Sequence, residues 1–365
     1  MRITEMKSLI IGNLTATLPI VQGGMGVGVS LAGLASSVAN QGGVGVIAAA
    51  GIGMFEPDSY TNYVEANIRA LRKEIRKARE MTKGILGVNI MVALSDFAEL
   101  AKAAIDEGID IIFSGAGLPL KLPEISQGSD TKLVPIVSSA KAASIIAKRW
   151  MDKYNYLPDA VVVEGPKAGG HLGFKHDQLE EPQFSIEKLV TEVVAALKPF
   201  VEKFNKPIPV IAGGGIYTGE DIYNMMQLGA DGVQMATRFV TTKECDASVN
   251  FKQAYIDAKP EDIAIIKSPV GLPGRAVRND FIAEVEAGNR IPFKCPYHCI
   301  VTCDYLNSPF CIALALINAQ KGIMKNGFAF AGENAYRATE IIPMQQLVDT
   351  IKEEYREAVE SHVTA

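Results

Sequence analysis

The chain has 365 residues, 48% hydrophobic and 21% charged, enough apolar side chain for one large α/β domain with an appendage or for two ordinary domains. A formal charge of −5 excludes a general nucleic-acid or anionic-membrane surface and leaves room only for local basic patches. The opening MRITEMKSLIIGNL lacks a long apolar run and a cleavage site, no stretch is long enough to span a bilayer, and five cysteines without an export signal read as reduced thiols, so a cytoplasmic protein is expected.

Taken in order, LPIVQ (Leu18–Gln22) is the first strand expected, running into Gly23, Gly24, Met25 and Gly26. Ser30 is placed to cap the small-residue helix LAGLASSVANQ, which Gly42 and Gly43 end. Val44–Ala48 is the second strand. The polar stretch Asp58–Met81 mixes charge signs at helical spacing, as a solvated outer face does. A third strand, Gly84–Met91, holds Asn89 inside an apolar run, where an amide needs either a scaffold partner or a ligand. The alternation continues with a helix over Ser95–Glu107, strand four at Ile109–Phe113, strand five at Val134–Val137, a helix over Ser139–Lys148 and strand six at Ala160–Val163. A helix over Ile186–Phe204, strand seven at Ile208–Ala212, a helix at Tyr223–Leu228 and strand eight at Gly232–Met235 complete it.

Eight strands alternating with helices over about 240 residues predict an α/β fold of the (β/α)8 TIM-barrel type, with a doubly wound sheet as the alternative. The barrel is assigned to residues 1–245. Beyond it, SPVGLPGRAVRN (Ser268–Asn279) reads as a Pro/Gly-rich loop, and Ile312–Met324 and Met344–Glu360 read as helices, so residues 246–365 are expected to form a smaller, mainly α-helical flank beside the barrel mouth.

The stretch VVVEGPKAGGHLGF, Val161–Phe174, carries the strongest chemical signal. An apolar strand stops at Glu164, and Gly169 and Gly170 free the backbone to approach a ligand just before His171. A carboxylate, a glycine pair and a histidine at the carboxyl end of a buried strand are what the active face of a parallel α/β protein requires. The loops after strands seven and eight, AGGGIYTGED and QMATRF, offer backbone amides and a helix start where such barrels hold phosphate. Their GGG run is not the G-x-G-x-x-G of a dinucleotide fingerprint.

Together QGGMGVG (Gln22–Gly28), GVNIM (Gly87–Met91), VEGPKAGGHLG (Val163–Gly173), AGGGI (Ala212–Ile216), GADGVQMATRF (Gly229–Phe239) and GLPGRAVRN (Gly271–Asn279) resemble the nitronate monooxygenase family, formerly 2-nitropropane dioxygenase, which includes flavin-dependent enoyl-acyl-carrier-protein reductases. The resemblance implies an FMN-containing barrel. Gln22, Gly23, Gly24 and Met25 would lie against the flavin, Asn89 would bond its edge or its phosphoribityl chain, and Glu164 would sit near the ring. Gly169 and Gly170 would admit the backbone, and Gly214, Gly215, Met235, Ala236 and Thr237 would cradle the phosphate with Gln234 nearby. His171 is the expected proton-transfer residue, since an imidazole with an ordinary pKa near 6.5 can give or take a proton at neutral pH. His176 is expected to face solvent.

The activity implied is oxidation of alkyl nitronates to carbonyl compounds and nitrite with oxygen; the alternative is an NAD(P)H-dependent enoyl-acyl-carrier-protein reductase, for which Lys167, Lys175, Arg275 and Arg278 are candidate docking cations. A small-molecule substrate is expected, with NAD(P)H and a second copy of the chain, as a homodimer, left open as further partners. Lys167 stands where many relatives carry an acidic residue, so substrate preference does not transfer. Cys295, Cys299, Cys303 and Cys311 cluster in one segment, and their C-x3-C-x3-C-x7-C spacing matches neither a C-x2-C zinc knuckle nor the common ferredoxin runs. No metal is assigned from it; unlinked thiols and a zinc or iron–sulfur site both stay open.

Overall fold

The computed structural model describes residues 5–364. An antiparallel hairpin comes first, β1 (Leu9–Ile11) and β2 (Leu14–Ala16). The strands β3 (Ile20–Gln22), β4 (Val44–Ala48), β5 (Ile85–Met91), β6 (Ile111–Gly115), β7 (Lys132–Val137) and β8 (Val161–Glu164) follow, then a two-residue outer strand β9 (Gly170–His171), then β10 (Val210–Gly213) and β11 (Gly232–Met235). Apart from β9, these last nine strands pair in parallel and close into a barrel in the order β10-β11-β3-β4-β5-β6-β7-β8. Closure excludes the doubly wound sheet.

Helices α1 (Ala32–Asn40), α2 (Tyr63–Met81), α3 (Phe97–Asp106), α4 (Leu122–Ile125), α5 (Ala140–Tyr154), α6 (Ile186–Phe204), α7 (Gly219–Gln227) and α8 (Thr237–Val240) join the strands. The strand sequences are near-continuous apolar runs because both faces are covered. Val21, Val46, Ile111, Phe113, Val162 and Ile211 fill the barrel interior, and their neighbours Ile20, Ile47, Ile112, Val161 and Val163 pack outward with the helices. Each fully buried Val or Ile contributes roughly 1.5–3 kcal/mol by leaving water. The strands vary in bulk to fit this interior: a Cβ on Gly87 would sit 2.7 Å from the Phe113 ring, so the glycine makes room for that ring.

The hairpin was not expected from the sequence. Leu9, Ile11 and Ala16 join the interior cluster, and Leu9 packs on Gly232 while Gly12 lies on Lys132, at the starts of β11 and β7. It therefore stoppers the amino-terminal end of the barrel.

The flank contains α9 (Val249–Ile256), β12 (Ile263–Lys267), β13 (Pro273–Val277), α10 (Asp280–Glu286), α11 (Ile312–Gln320) and α12 (Met344–Thr364). It is mainly helical, but five of the twelve residues read as a Pro/Gly loop are β13, which pairs antiparallel with β12 and with β9. Pro273 hid this strand; as the first strand residue it loses no needed donor. Among the described residues no helix is long and apolar enough to cross a membrane.

Ser30 does not cap α1. Its Oγ instead accepts from Gln22 Nε2 and from Met25 N, both at 3.0 Å. The helix's first amides go to carboxylates from elsewhere: Leu31, Gly33 and Leu34 donate to Asp246 at 2.8, 3.1 and 3.0 Å, and Ala32 donates to Glu74 at 2.9 Å. Asp246 stands just after the barrel, so this contact ties the flank's beginning to the first barrel helix. Asp246→Ala strands three amide donors and is expected to cost about 1–3 kcal/mol in urea unfolding. A change below a few tenths would mean that water replaces the carboxylate without loss.

Candidate active site

A cavity of about 720 Å3 opens at the carboxyl ends of the barrel strands, under α11 and the β12–β13 hairpin. Of the residues singled out from the sequence, Gly23, Gly24, Met25, Asn89, Glu164, Gly169, Gly170, His171, Gly214, Gly215, Gln234, Met235, Ala236 and Thr237 all line it. Gln22 does not. Its fully buried amide accepts from Val46 N at 2.9 Å and donates to Ser30 Oγ and Gly23 O, so it fixes the turn that leads into Gly23–Gly26. His176 is exposed, as expected.

Small residues shape the near wall. A Cβ on Gly24 would stand 2.4 Å from the Asn89 Cβ, and one on Gly214 would stand 2.8 Å from the Gly165 carbonyl. Gly214 and Gly215 have φ of +93° and +91°, a left-handed turn that glycine adopts freely and that exposes backbone amides. The Asn89, Glu164 and Gln234 side chains face the cavity with no hydrogen-bond partner in the protein among the described residues. Thr237 Oγ1 accepts from Gly332 N at 3.0 Å, joining the start of α8 to the flank.

His171 sits on β9, opposite Gly274 of β13. Its Nε2 is 2.7 Å from Ser268 Oγ, and its ring stands edge-on to Phe330 with centroids 5.0 Å apart. The Ser268 hydroxyl also accepts from Val270 N at 3.4 Å and is buried, so it orients the imidazole through Nε2 whichever of the two carries the shared proton. Burial lowers the His171 pKa to about 4. The imidazole expected to titrate near neutrality is therefore an uncharged hydrogen-bonding group at neutral pH. Neither Ser268 nor Phe330 was legible in the sequence, because each meets His171 across a long stretch of chain with no local pattern to link them.

Arg275, a candidate docking cation, is buried: its guanidinium donates to the Pro166 carbonyl and, at 3.1 Å, to that of Ala168. Lys167 pairs with Glu333 at 3.0 Å and Arg278 with Glu286 at 2.8 Å. Of the four cations named from the sequence, one is thus buried and two are paired, while Lys175 is exposed.

The nitronate monooxygenase family model matches residues 7–354. The chain belongs to the nitronate monooxygenase family. It is 28% identical over 310 residues to a probable nitronate monooxygenase of Staphylococcus aureus, covering 78% of this chain and 80% of the relative. The structure of FabK from Thermotoga maritima superposes with a TM-score of 0.73 at 28% identity, over 95% of each chain. A nitroalkane oxidase from Streptomyces ansochromogenes shares the fold with a TM-score of 0.71 at 22% identity, over 94% of this chain and 97% of that one. Nitronate monooxygenase family members are flavoproteins, and the chain is an oxidoreductase acting on small molecules. The cavity fits a flavin: glycines clear one wall for a flat ring, and three unpartnered side chains, Asn89, Gln234 and Glu164, offer donors and acceptors to its polar edges.

Glu164 gives a test that needs no turnover. Burial pushes its carboxyl from 4.5 up to about 7. The folded chain thus keeps a proton that the unfolded chain releases, and this contribution to stability is lost as pH rises from 4.5 through 7. Glu164→Gln is expected to flatten the fall in melting temperature of flavin-free protein between pH 5 and 8. An unchanged slope would place the titration elsewhere.

Proposed function

We propose that this chain is an FMN-dependent nitronate monooxygenase, oxidising alkyl nitronates with oxygen to carbonyl compounds and nitrite. The observation that carries the reading is His171 in the cavity wall, its Nε2 2.7 Å from Ser268 Oγ and its pKa lowered by burial, which makes it a neutral hydrogen-bonding group there. A nitronate is already an anion. It needs a hydrogen-bond donor for its nitro oxygens, not a base, and a donor in a water-poor pocket is worth more than in solvent. A histidine with a pKa near 4 is a weak base for a neutral nitroalkane and a well-placed donor for its conjugate anion.

In this reading Asn89 and Gln234 bond the polar edges of the isoalloxazine, and the Gly214–Gly215 turn with Ala236 and Thr237 takes the FMN phosphate. The flavin supplies the electron transfer and oxygen chemistry. Ser268 orients the imidazole through Nε2, Phe330 fixes its ring plane, and the apolar walls limit water around the substrate. Arg275 holds the Pro166–Ala168 turn that leads to the histidine. The carrier-protein reductase reading is disfavoured by the same cations: one is buried and two are paired.

Anaerobic titration of FMN-loaded protein separates the two. Ethyl nitronate is expected to reduce the flavin and, in air, to release nitrite, with NADH and NADPH leaving the visible spectrum unchanged. Rapid bleaching by a nicotinamide would establish the reductase instead. His171→Ala should lower kcat/KM for ethyl nitronate by about 10²-fold or more, and Ser268→Ala by about tenfold, with flavin content intact. Wild-type kcat/KM in His171→Ala would sink the assigned role.

A further inference from the structure

Four of the five cysteines fall between Cys295 and Cys311, in the stretch from 287 to 311 that joins α10 to α11. This stretch has no helix or strand, only an isolated bridge between Leu94 and Ile300. An irregular connection of this length within a compact fold is uncommon without a function or a staple. Its backbone meets the loop after β5 through Ser95 N to the Cys299 carbonyl at 3.1 Å and Val301 N to the Ala93 carbonyl at 3.0 Å, and its two ends meet each other through Ile291 N to the Pro309 carbonyl at 2.8 Å. His298, between the first two cysteines, takes a left-handed φ of +45°, a conformation that a side-chain-bearing residue adopts only at a cost.

The four thiols converge. Cys299 lies within electrostatic reach of Cys311, Cys295 and Cys303, and both Cys303 and Cys311 lie within reach of Cys295. All four are free and partly buried, not linked as disulfides. Cys299, with Ile300 beside it, also lines the cavity, so this segment reaches the cavity wall through one of its four thiols.

We propose that Cys295, Cys299, Cys303 and Cys311 together hold a thiolate-bound metal centre that staples this segment over the cavity. Four thiolates select soft metals, as a closed tetrahedral zinc site or as a cubane iron–sulfur cluster. Among the described residues no three His, Cys, Asp or Glu side chains are already set at the separations of a bound ion. Ligation therefore requires the thiols to turn inward between staggered χ1 rotamers. Metal binding supplies the drive, because the thiols lose their protons on ligation and the site forms with the metal. This centre is independent of the reaction assigned to the cavity.

The test is the metal and sulfide content of full-length protein purified anaerobically from cells supplied with iron and zinc. About one zinc per chain, or about four irons with four sulfides, is expected. A Cys295→Ser/Cys303→Ser variant should lose at least nine-tenths of that metal while Cys245→Ser keeps it. In the wild type, removing the metal with a chelator should raise the thiols open to a chromogenic disulfide reagent by about four per chain and open residues 295–311 to protease. That second measurement holds even if the double variant fails to fold. Less than a tenth of an equivalent of iron and zinc, or metal retained by a folded double variant, would overturn the proposal.

Discussion

The buried Arg275 guanidinium, bonded to the carbonyls of Pro166 and Ala168, holds the parts of the site in register. Those carbonyls belong to the turn between the end of β8 and His171, a turn too rich in glycine to keep one shape unaided. The arginine comes from β13, which also pairs with β9, so one residue fixes the turn from the side while the strand fixes its end. Removing water from a guanidinium is costly, and the two carbonyl acceptors offset that cost only while the turn stays in place. The position of the histidine is thus enforced by a charge that has nowhere else to go.

Around this contact the barrel does what parallel closure obliges it to do. Every strand delivers its carboxyl end to the same rim, so Gly23, Asn89, Glu164, Gly214 and Gln234 become neighbours despite lying on five strands or strand ends far apart in sequence. The environment then separates the titratable groups. Burial with no compensating charge raises Glu164 to about 7 and lowers His171 to about 4, so the histidine is uncharged at neutral pH while the carboxyl titrates within the neutral range. A cavity with few fixed charges suits a flat, largely apolar cofactor and a small anion held by neutral donors.

The barrel was legible because its signal is local. An apolar run of four to seven residues with glycine after it is a strand by its own composition, and eight such runs in alternation with helices specify the architecture. The features hidden from the sequence depend on contacts between distant segments. The hairpin at Leu9–Ala16 is too short to show a period, and β13, opened by Pro273, shows its strand character only once it lies between β12 and β9, the latter about a hundred residues earlier. Ser30 satisfied the capping pattern in sequence, yet Gln22 and Met25 claimed its hydroxyl and a carboxylate over two hundred residues away took the helix amides. The same holds for the cations near the mouth: sequence shows a charge, and only the fold shows whether a partner has already neutralised it.

The stopper formed by the amino-terminal hairpin makes the barrel a blind sac. With Leu9, Ile11 and Ala16 filling one end and Val46, Ile111 and Phe113 packed above them, nothing passes along the axis. Among the described residues the cavity is reached from the carboxyl-end rim, where α11 and the β12–β13 hairpin lie over it. A molecule held in that mouth stands in the way of the next, so departure of the first bears on when the second can arrive.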